Sequence, residues 1–506
     1  MSLSPARPLN ALRLRRVGID TYDEPVIYMH AECPVCRSEG FGAHSRVMIA
    51  LNGRRVVATL NIVTSALLSP EEASLSESAW TLLGAREGDF VAISHPEPVD
   101  SLSHVRAKVY GRRLEAPQIE AIVYDIVARK YSDIHLAAFI SACAGDRMNL
   151  DETIALTQAM VNAGERIVWD RAPVVDKHSV GGLPGNRTTP IVVAIVAAAG
   201  LTMPKTSSRS ITSPAGTADT METLAPVDLD IAAMRRVVER EGGCIVWGGA
   251  MHLSPADDIL IRVERPLDLD SEGQMVASIL SKKAAAGSTH VVIDMPVGAT
   301  AKVRDEGGAR SLTALLEEVG RALDLTVRVV PGDGTQPVGR RIGPALEAKD
   351  VLAVLNNDAR APIDLRDRSL RLAGDIFELA EGAARGAGTS LARDILTSGR
   401  AWRKFQAICE AQGGMRVPPT AVHRRDVAAS VAGIVTRIDN RRLAMIAKLA
   451  GAPMSPAAGL ELHVPVGSSV RPGDPLFTLH AETAGELAYA LNYVAARADI
   501  FTIAPG

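Results

Sequence analysis

The spacing of apolar and polar residues changes along the chain and predicts four regions. Residues 1–92 contain short segments in which apolar and polar residues alternate, such as "RVMIALNGRRVVATLNIV", and this alternation is typical of strands. Residues 93–172 have a helical period, because several apolar residues after Pro117 fall on one face: Ile119, Ile122, Val123, Ile126 and Val127. The pattern predicts a small N-terminal β-rich domain followed by a helical domain.

Residues 173–420 repeat a strand, a glycine-rich turn and a helix. Apolar runs such as "APVVD", "LTMP", "CIVWGG", "HVVIDMPVG" and "LDLTVRVVPGDG" alternate with helical segments. This repeat predicts a large α/β domain with a mixed sheet that helices cover. Ligands of such sheets bind at the carboxyl ends of the strands, so the turns after "APVVD" and "LTMP" are the expected functional loops. Residues 425–506 predict a C-terminal α+β domain.

Composition and charge narrow the class of protein. The chain has 506 residues, of which 47% are hydrophobic and 22% charged, as in an ordinary globular protein. Its formal net charge of −3 argues against the broad basic surface that a nucleic-acid polymer requires. The N-terminal segment lacks the apolar core of a signal peptide, and the alanine-rich runs are too short to span a membrane. We therefore expect a cytoplasmic protein without a membrane partner.

The first candidate loop begins at Asp176 and reads "DKHSVGGLPGNRTTPIVV". A lysine, a histidine and a serine follow the predicted strand, two glycines permit a tight turn, and two threonines precede a helix that a proline begins: Lys177, His178, Ser179, Gly181, Gly182, Thr188, Thr189 and Pro190. Free backbone N–H groups at such a helix start, together with hydroxyls and one ammonium group, form a phosphate cradle. The loop contains no Walker motif, and a polar glycine-rich connection is the alternative interpretation.

The second candidate loop, "KTSSRSITSPAGTADTMETLAP", follows the next strand and is rich in hydroxyl groups. Its polar residues are Ser207, Ser208, Arg209, Ser210, Thr212, Ser213 and Thr217. Hydroxyl groups at this density usually indicate a solvated turn. Because the two loops end consecutive strands of one sheet, however, we expect them to face each other and to bind inorganic phosphate or a phosphorylated ligand.

A cysteine and histidine cluster in the N-terminal region has two interpretations. The segment "HAECPVC" contains His30, Cys33 and Cys36, and His44 follows, so that the four side chains have a spacing that zinc sites use. Two packed, reduced thiols are the preferred interpretation, since zinc motifs matched by spacing alone have many false positives. We therefore expect no metal.

Three spaced motifs resemble the thymidine phosphorylase family of nucleoside phosphorylases. They are "KHSVGG", the serine-rich loop ending in "AGT", and "ASILSKK". The longer string around the first two motifs is most similar to the long-chain branch of the family, which includes AMP phosphorylases, and the N-terminal extension fits that branch. The resemblance covers residues from about 95 to 500.

The resemblance implies a phosphorolytic pentosyltransferase. Such an enzyme cleaves a nucleoside 5′-monophosphate or a nucleoside with inorganic phosphate, and releases the free base and pentose 1-phosphate or ribose 1,5-bisphosphate. It implies a helical domain beside a larger α/β domain of the nucleoside phosphorylase and phosphoribosyltransferase type. It further implies a homodimer or larger homo-oligomer, with phosphate as co-substrate and no metal or organic cofactor.

The family's functional positions also transfer to this sequence. The phosphate would lie among Lys177, Ser179, Thr188, Ser207 and Thr217, with His178 beside the pentose. The substrate would contact Gly182, Ser208, Arg209, Ser210, Ile211, Thr212, Ser213, Ser278, Lys282 and Lys302. Asp270 matches the proton donor proposed for AMP-type members, although it also precedes a helix and fits a helix cap equally well. Of the adjacent Lys282 and Lys283, we expect one to be solvated.

The identity of the base stays open at this point. The family's short-chain loop "GRGLGHTGGT" is "SRSITSPAGT" here, and both Arg262 and Arg265 lie near the position of an arginine that contacts a pyrimidine. The additional hydroxyls and Arg209 favour a nucleotide with a second phosphate. A thymidine or pyrimidine nucleoside phosphorylase is the first alternative, and an anthranilate-type phosphoribosyltransferase, which uses a diphosphate donor and magnesium, is the second. A non-enzymatic scaffold is disfavoured by the intact first loop.

Overall fold

The computed structural model describes residues 10–210, 213–251, 253–267, 269, 271–382, 384–497 and 499–505, with the side chains of all of them except Ala250 and Arg265. Contacts within the chain define two units. One comprises Met1–Arg147 with Arg262–Leu269, and the other comprises Met148–Ile261 with Asp270–Gly506.

The first unit begins with a closed six-stranded barrel whose strand order is β1-β5-β2-β4-β3-β6. Its elements are β1 (Ala11–Leu14), β2 (Val26–His30), α1 (Pro34–Glu39), β3 (Arg46–Leu51), β4 (Arg54–Val63), β5 (Glu72–Leu75), α2 (Glu77–Leu83) and β6 (Phe90–Ser94). The alternation read from the sequence is visible in β3, where Val47, Ile49 and Leu51 point into the barrel and the residues between them are partly exposed.

Three α-helices follow the barrel in the first unit: α3 (Leu102–Val109), α4 (Ala116–Val127) and α5 (Asp133–Cys143). The expected apolar face of α4 is buried at Ile119, Ile122, Val123 and Ile126. Helix α5 begins after Ser132, which caps it. These helices follow the predicted helical period because their apolar residues recur every three or four positions.

The second unit contains the α/β part of the chain. From residue 150 to residue 333 its elements are α6 (Leu150–Asn162), β7 (Val175–Ser179), α7 (Thr189–Ala198), β8 (Met203–Ser207), α8 (Thr217–Glu222), α9 (Ile231–Glu241), β9 (Gly243–Trp247), α10 (Pro255–Leu267), α11 (Glu272–Ala285), β10 (His290–Val297), α12 (Glu306–Ala322) and β11 (Thr326–Asp333). The last residues of α10 belong to the first unit. Strands β11, β10 and β7 pair in parallel, as do β8 and β9. A parallel bridge between Val174 and Thr202 links the two groups of strands.

Helix α7 lies at the centre of this α/β region. Its sequence "TPIVVAIVAA" is apolar on every side, and nearly all of its residues are buried. A helix without a polar face must be covered all round, so α7 is held firmly. Its N-terminal end, which follows the first candidate loop, therefore has a fixed position.

The remaining elements are β12 (Arg341–Ile342), α13 (Pro344–Leu355), α14 (Ile363–Glu381), α15 (Ala387–Thr397), α16 (Arg400–Ala411), β13 (His423–Ala428), β14 (Gly433–Ile438), α17 (Asn440–Leu449), β15 (Gly459–Leu462), β16 (Ser469–Val470), β17 (Pro475–Ala481), α18 (Ala484–Ala495) and β18 (Phe501–Ala504). The strands form two sheets, with orders β12-β15-β17-β13 and β16-β14-β18. Together with α17 and α18 they form the C-terminal α+β region. The predicted fold class is confirmed.

Two strand ends differ from the prediction. Lys177, His178 and Ser179 belong to β7 rather than to the turn after it, because they pair with Val292, Ile293 and Asp294 of β10. Likewise β8 continues through Lys205, Thr206 and Ser207. Polar residues at a strand end look like a turn in the sequence, but pairing with a neighbouring strand keeps them extended. None of the helices in the described ranges is both long and apolar enough to cross a membrane.

Candidate active site

The first loop contributes a buried lysine. The side chain of Lys177 is 1% exposed, and its Nζ donates a hydrogen bond of 2.7 Å to Thr188 Oγ1. Thr188 occupies the N-cap position of α7, yet its side chain makes no capping hydrogen bond. Its hydroxyl instead joins the end of β7 to the start of α7, as expected if both residues line one anion site.

Asp294 of β10 is the counter-ion of this region. Its Oδ2 lies 3.9 Å from Lys177 Nζ and accepts a hydrogen bond of 2.8 Å from Asn186 Nδ2. Its Oδ1 accepts a hydrogen bond of 2.7 Å from Arg368. Asn186 Nδ2 also lies 3.4 Å from Ser179 Oγ. The carboxylate therefore holds two cations and one amide near the carboxyl end of β7.

Burial and charge act against each other in this network. Burial lowers the pKa of Lys177 to about 8, with Asp294 opposing the shift and the neighbouring arginines reinforcing it. Burial by itself raises the pKa of Asp294, but Lys177 and Arg368 outweigh this effect and hold that pKa below its usual value. The carboxylate is ionised at neutral pH, and Lys177 is a readily titrated ammonium group.

His178 is a neutral imidazole. It pairs with Ile293 of β10, and its pKa lies well below the ordinary value because of burial and the positive charges of Lys283, Lys205, Lys177 and Lys282. A neutral imidazole offers one N–H donor and one acceptor. His178 can therefore bind a hydroxyl group without adding charge.

Arg187 joins the two predicted loops. Its Nε forms an ion pair of 2.7 Å with buried Glu347, while its terminal nitrogens donate 2.7 Å to Thr217 Oγ1 and 2.8 Å to the carbonyl oxygen of Ala215. The first loop thus reaches the end of the second loop, as the sequence predicts. The two loops face each other within the second unit.

Arg209 is surrounded by carboxylates. Its guanidinium donates two hydrogen bonds to Glu222, at 2.5 and 3.0 Å, and lies 3.5 Å from Asp219 and 3.7 Å from Asp228. It also lies over the ring of Trp247, 4.9 Å from the centroid. The sequence suggests that Arg209 binds a second phosphate, but in this structure carboxylates already compensate its positive charge.

The serine-rich loop is held by its own hydrogen bonds. Asp219 Oδ2 accepts from the backbone N–H groups of Ser210 and Gly216, and Ser213 Oγ donates to the carbonyl oxygen of Ala215. Gly216 lies so close to the chain at Ser208 to Ser210 that a Cβ there would approach the Ser210 nitrogen to 2.6 Å. The described parts of the loop, on either side of residues 211 and 212, are thus held together, and Ser208 and Ser213 are exposed.

Gly182 and Lys302, both expected to contact substrate, lie next to each other. Gly182 has a φ of +79°, and a Cβ placed there would lie 2.3 Å from the backbone nitrogen of Lys302. The close approach requires glycine on two grounds, because other residues rarely adopt this φ and no side chain fits. The first loop thereby packs directly against the segment after β10.

A glycine pair allows this requirement to be tested. Gly181 has a φ of +89°, but a Cβ added there would meet no neighbouring atom within 4 Å. We expect Gly181→Ala to lower the free energy of unfolding by about 1 kcal/mol, from backbone strain alone. We expect Gly182→Ala to lower it by about 2 kcal/mol more, because the added Cβ also forces the two backbones apart. Urea unfolding of both variants measures the difference, and equal losses would contradict the packing argument.

Helix α11 carries the predicted base contacts. Ser278 and Lys282 are both partly buried and lie on the same, less buried face of the helix. Lys282 forms an ion pair with Asp257, and Lys283 one of 2.6 Å with Asp176. Lys283 is buried, and Lys282, whose side chain is 26% exposed, is the one of the two that solvent reaches, although an acidic residue from another element pairs with each ammonium group.

Some predicted site residues are not placed by the structure. Asp270, Ile211 and Thr212 lie outside the described residues. Arg262 is paired with Asp133 of the first unit, with nitrogen to oxygen distances of 2.5 and 2.8 Å, and it is thereby held by a carboxylate. The catalytic and binding roles of the placed residues remain predictions.

The four residues of the cysteine and histidine cluster are not arranged as a zinc site in this structure. Cys33 and Cys36 are buried free thiols, His44 is exposed, and His30 accepts a hydrogen bond from the backbone of Glu32. Among the residues whose placement is described, no group of three or more His, Cys, Asp or Glu side chains is arranged to hold a metal ion. The hydrogen bond from Cys36 lowers the pKa of Cys33 to about 6 and burial opposes this shift, so the two thiols interact directly with each other.

Sequence reasoning missed the buried partners of the first loop. Asn186 and Arg187 stand inside the quoted segment, but the lysine and the hydroxyls around them are the more obvious anion ligands. Asp294 could have been predicted, since it is the charged residue of the otherwise apolar run "HVVIDMPVG". A charge inside a buried strand requires a partner, and this rule alone would have identified it.

Comparison with known families covers most of the chain. Residues 103–164 match the helical bundle domain of the glycosyl transferase family, and residues 171–402 match its a/b domain. Residues 434–500 match the pyrimidine nucleoside phosphorylase C-terminal domain.

Curated relatives align over nearly their whole length. A "Putative thymidine phosphorylase" of Polaromonas sp. (strain JS666 / ATCC BAA-500) is 65% identical and covers 98% of both chains. "Putative thymidine phosphorylase 2" of Acidovorax sp. (strain JS42) is 63% identical, covering 98% of this chain and 96% of the relative. A protein of the same name as the first, from Maricaulis maris (strain MCS10), is 58% identical and covers 98% and 95%.

Solved structures show the same fold at low sequence identity. Anthranilate phosphoribosyltransferase from Thermus thermophilus has a TM-score of 0.51 and 22% identity, covering 61% of this chain and 98% of its own. The enzyme from Saccharomyces cerevisiae in complex with PRPP and Mg has a TM-score of 0.51 and 12% identity, covering 62% and 97%. The fold alone is shared with these two structures. By its domains and its relatives, the chain belongs to the thymidine phosphorylase-like family of glycosyl transferases.

Proposed function

We propose that this protein cleaves the N-glycosidic bond of a nucleoside with inorganic phosphate. The proposal depends chiefly on one observation, the buried Lys177 bound to Thr188 at the carboxyl end of β7, where Arg187 also reaches Thr217. A buried ammonium group, a guanidinium and two hydroxyls can bind an oxyanion and orient it. The family membership supports phosphate as that anion.

The chemistry follows from the charges that develop in the reaction. A phosphate oxygen attacks the anomeric carbon of the pentose, and the bonding electrons of the glycosidic bond leave with the base. Lys177 would hold the phosphate in place, and neutral His178 would donate a hydrogen bond to the pentose without repelling the positive charge that develops there. The departing base requires a proton or a hydrogen-bond donor, for which we propose Asp270 or Lys282.

We propose a pyrimidine nucleoside as the first substrate class. Compensation of Arg209 by Glu222, Asp219 and Asp228 leaves the serine-rich loop without the net cation that a second phosphate requires. Lys282, on the less buried face of α11, suits a pyrimidine carbonyl. The names of the curated relatives and of the C-terminal domain agree with this choice.

A nucleoside 5′-monophosphate is the second substrate class. Exposed Ser208 supports it, because a phosphoryl group can accept a hydrogen bond from such a residue. The product would then be ribose 1,5-bisphosphate rather than a pentose 1-phosphate. In this case Arg209 would have to release at least one of its carboxylate partners and bind the 5′-phosphate of the substrate instead.

One incubation separates these possibilities. The purified protein is mixed with phosphate and thymidine, uridine, AMP, CMP or UMP, and the free base is measured by chromatography. Base released from thymidine or uridine supports the nucleoside substrate, whereas base released from monophosphates alone overturns it in favour of the nucleotide. Release that does not require phosphate would contradict phosphorolysis altogether.

The same incubation with added EDTA tests the proposal that the reaction needs no metal cofactor. We expect EDTA to leave phosphorolysis unchanged, because the proposed reaction places the phosphate on Lys177 and the hydroxyl groups. An anthranilate-type phosphoribosyltransferase, by contrast, requires a diphosphate donor and magnesium. Loss of activity with EDTA, and its recovery with added magnesium, would contradict the proposed cofactor independence.

The pKa of Lys177 predicts how phosphate binding changes with pH. Because the ammonium form binds the anion and its pKa is about 8, phosphate affinity should fall as the pH rises above 8. At pH 9 about one tenth of the lysine is protonated, so the KM for phosphate should be at least about tenfold higher than its minimum. Initial rates between pH 7 and 9.5 measure this increase. A Lys177→Arg variant that retains activity should show a smaller increase, and a constant KM in the wild type would contradict the assignment.

A further inference from the structure

A second buried charge cluster lies directly beside the site. Asp176 is fully buried, and its Oδ2 lies 2.6 Å from Lys283 Nζ while its Oδ1 lies 3.1 Å from Lys205 Nζ. Both lysine side chains are almost completely buried, at 3% and 4% exposed. The reaction described above uses none of the three residues.

The cluster connects the elements that carry the predicted site. Asp176 immediately precedes Lys177 on β7, and its Oδ1 also accepts a hydrogen bond of 2.6 Å from the Lys177 backbone N–H. Lys205 belongs to β8, which leads into the serine-rich loop, and Lys283 belongs to α11, which carries Ser278 and Lys282. One carboxylate therefore joins three elements that carry predicted site residues, β7, β8 and α11.

The charges in the cluster do not balance. Two ammonium groups share one carboxylate in a place that water does not reach, and a buried cation without its own counter-ion favours the neutral form. The other titratable groups that face the cluster are Lys177, His178, Lys282 and the Cys244 thiol, so that no second anion compensates the lysines within the described residues. Burial lowers the pKa of Lys283 to about 7, and Lys205 contributes to this shift while Asp176 opposes it.

We propose that Asp176, Lys205 and Lys283 are positioning residues for the phosphate site, and that Lys283 takes up a proton when a phosphate dianion binds beside Lys177. The inference rests on the proposed function, because it requires a phosphate at Lys177. The incoming dianion supplies the negative charge that the cluster lacks. Proton uptake by Lys283 then keeps the region close to electroneutral.

Proton uptake can be counted by calorimetry. Inorganic phosphate is titrated into the protein at pH 8.5, where it is already a dianion, in buffers that differ in ionisation enthalpy. Lys177 and Lys283 are both largely neutral at this pH, so the wild type should take up more than one proton. In Lys283→Arg, whose guanidinium stays protonated, the number should fall by about one while the ion pair is retained.

The outcomes distinguish this inference from the proposed function. An unchanged proton number in Lys283→Arg would overturn the role of Lys283 although phosphate still binds. Absence of any phosphate binding to the wild-type protein would overturn the proposed function and this inference with it. Lys283→Met offers a second variant, with the same expected loss of about one proton.

Kinetics test the positioning role. We expect Asp176→Asn to raise the KM for phosphate at least tenfold, and Asp176→Glu to recover part of that loss because it restores the carboxylate. The matched control is Asp350→Asn, which removes another buried carboxylate of the second unit, the partner of Arg341 at 2.7 Å. It should lower the melting temperature without changing the KM for phosphate. Equal KM values for Asp176→Asn and the wild type would overturn the positioning role.

Discussion

Replacing Lys177 with methionine should lower kcat/KM for phosphate by roughly 10²–10³-fold while the fold remains intact. Methionine fills the space of the lysine stem but cannot donate to Thr188 or attract an anion. The fold should persist because Asp294 keeps Arg368 at 2.7 Å and Asn186 at 2.8 Å. Steady-state rates over a range of phosphate concentrations, together with thermal unfolding, measure both effects.

A second lysine serves as the control for this variant. Lys404 forms an ion pair of 3.1 Å with Glu241, and its side chain is 25% exposed, outside the two loops. Lys404→Met removes the same charge from the same unit, so its phosphate kinetics should match those of the wild type. If Lys177→Met also retained wild-type turnover at limiting phosphate, Lys177 would have no place in the site.

Replacing Asp294 with asparagine should have the largest effect on stability. The change leaves the buried ammonium group of Lys177 and the guanidinium of Arg368 without their shared counter-ion. Loss of one partner from a buried ion pair costs about 3–5 kcal/mol, and we expect a decrease of that size in the free energy of unfolding. Urea unfolding with and without phosphate measures it.

Phosphate should act differently on this variant and on the wild type. A bound dianion supplies part of the missing negative charge, so phosphate should recover more stability in Asp294→Asn than in the unaltered protein. Asp350→Asn is the control, because Arg341 keeps a second carboxylate partner, Glu461, at 2.6 Å when the charge of Asp350 is removed. If phosphate raised the stability of Asp294→Asn and of the wild type by the same amount, Asp294 would not be part of the anion site.

The sequence predicts the local parts of this site well. The lysine, the hydroxyls and the helix start around Thr188 stand within one short segment, and local rules of turns and helix N-termini apply to them. The ends of β7 and β8 are harder to predict from the sequence, since pairing with β10 and β9 decides where each strand stops. Long-range pairing is not encoded in the polarity of the strand residues themselves.

Partners distant in the sequence account for most of what was missed. Arg368 lies 74 positions from Asp294, on a helix whose other charged residues give no reason to choose it. Arg209 is the opposite case, since Asp219 and Glu222 follow closely and share one side of a short helix. Counting the acidic residues that follow this arginine in the sequence would have indicated that its charge is compensated.

The two kinds of β-structure also differ in how they resist aggregation. The N-terminal barrel closes on itself, so each of its six strands in the described part of the chain is paired on both sides. The C-terminal sheet ends at β13, an edge strand whose exposed Arg424, Arg425 and Asp426 make pairing with a second copy costly. Closure therefore protects the barrel strands from pairing with a second copy at high concentration, and charge protects the β13 edge.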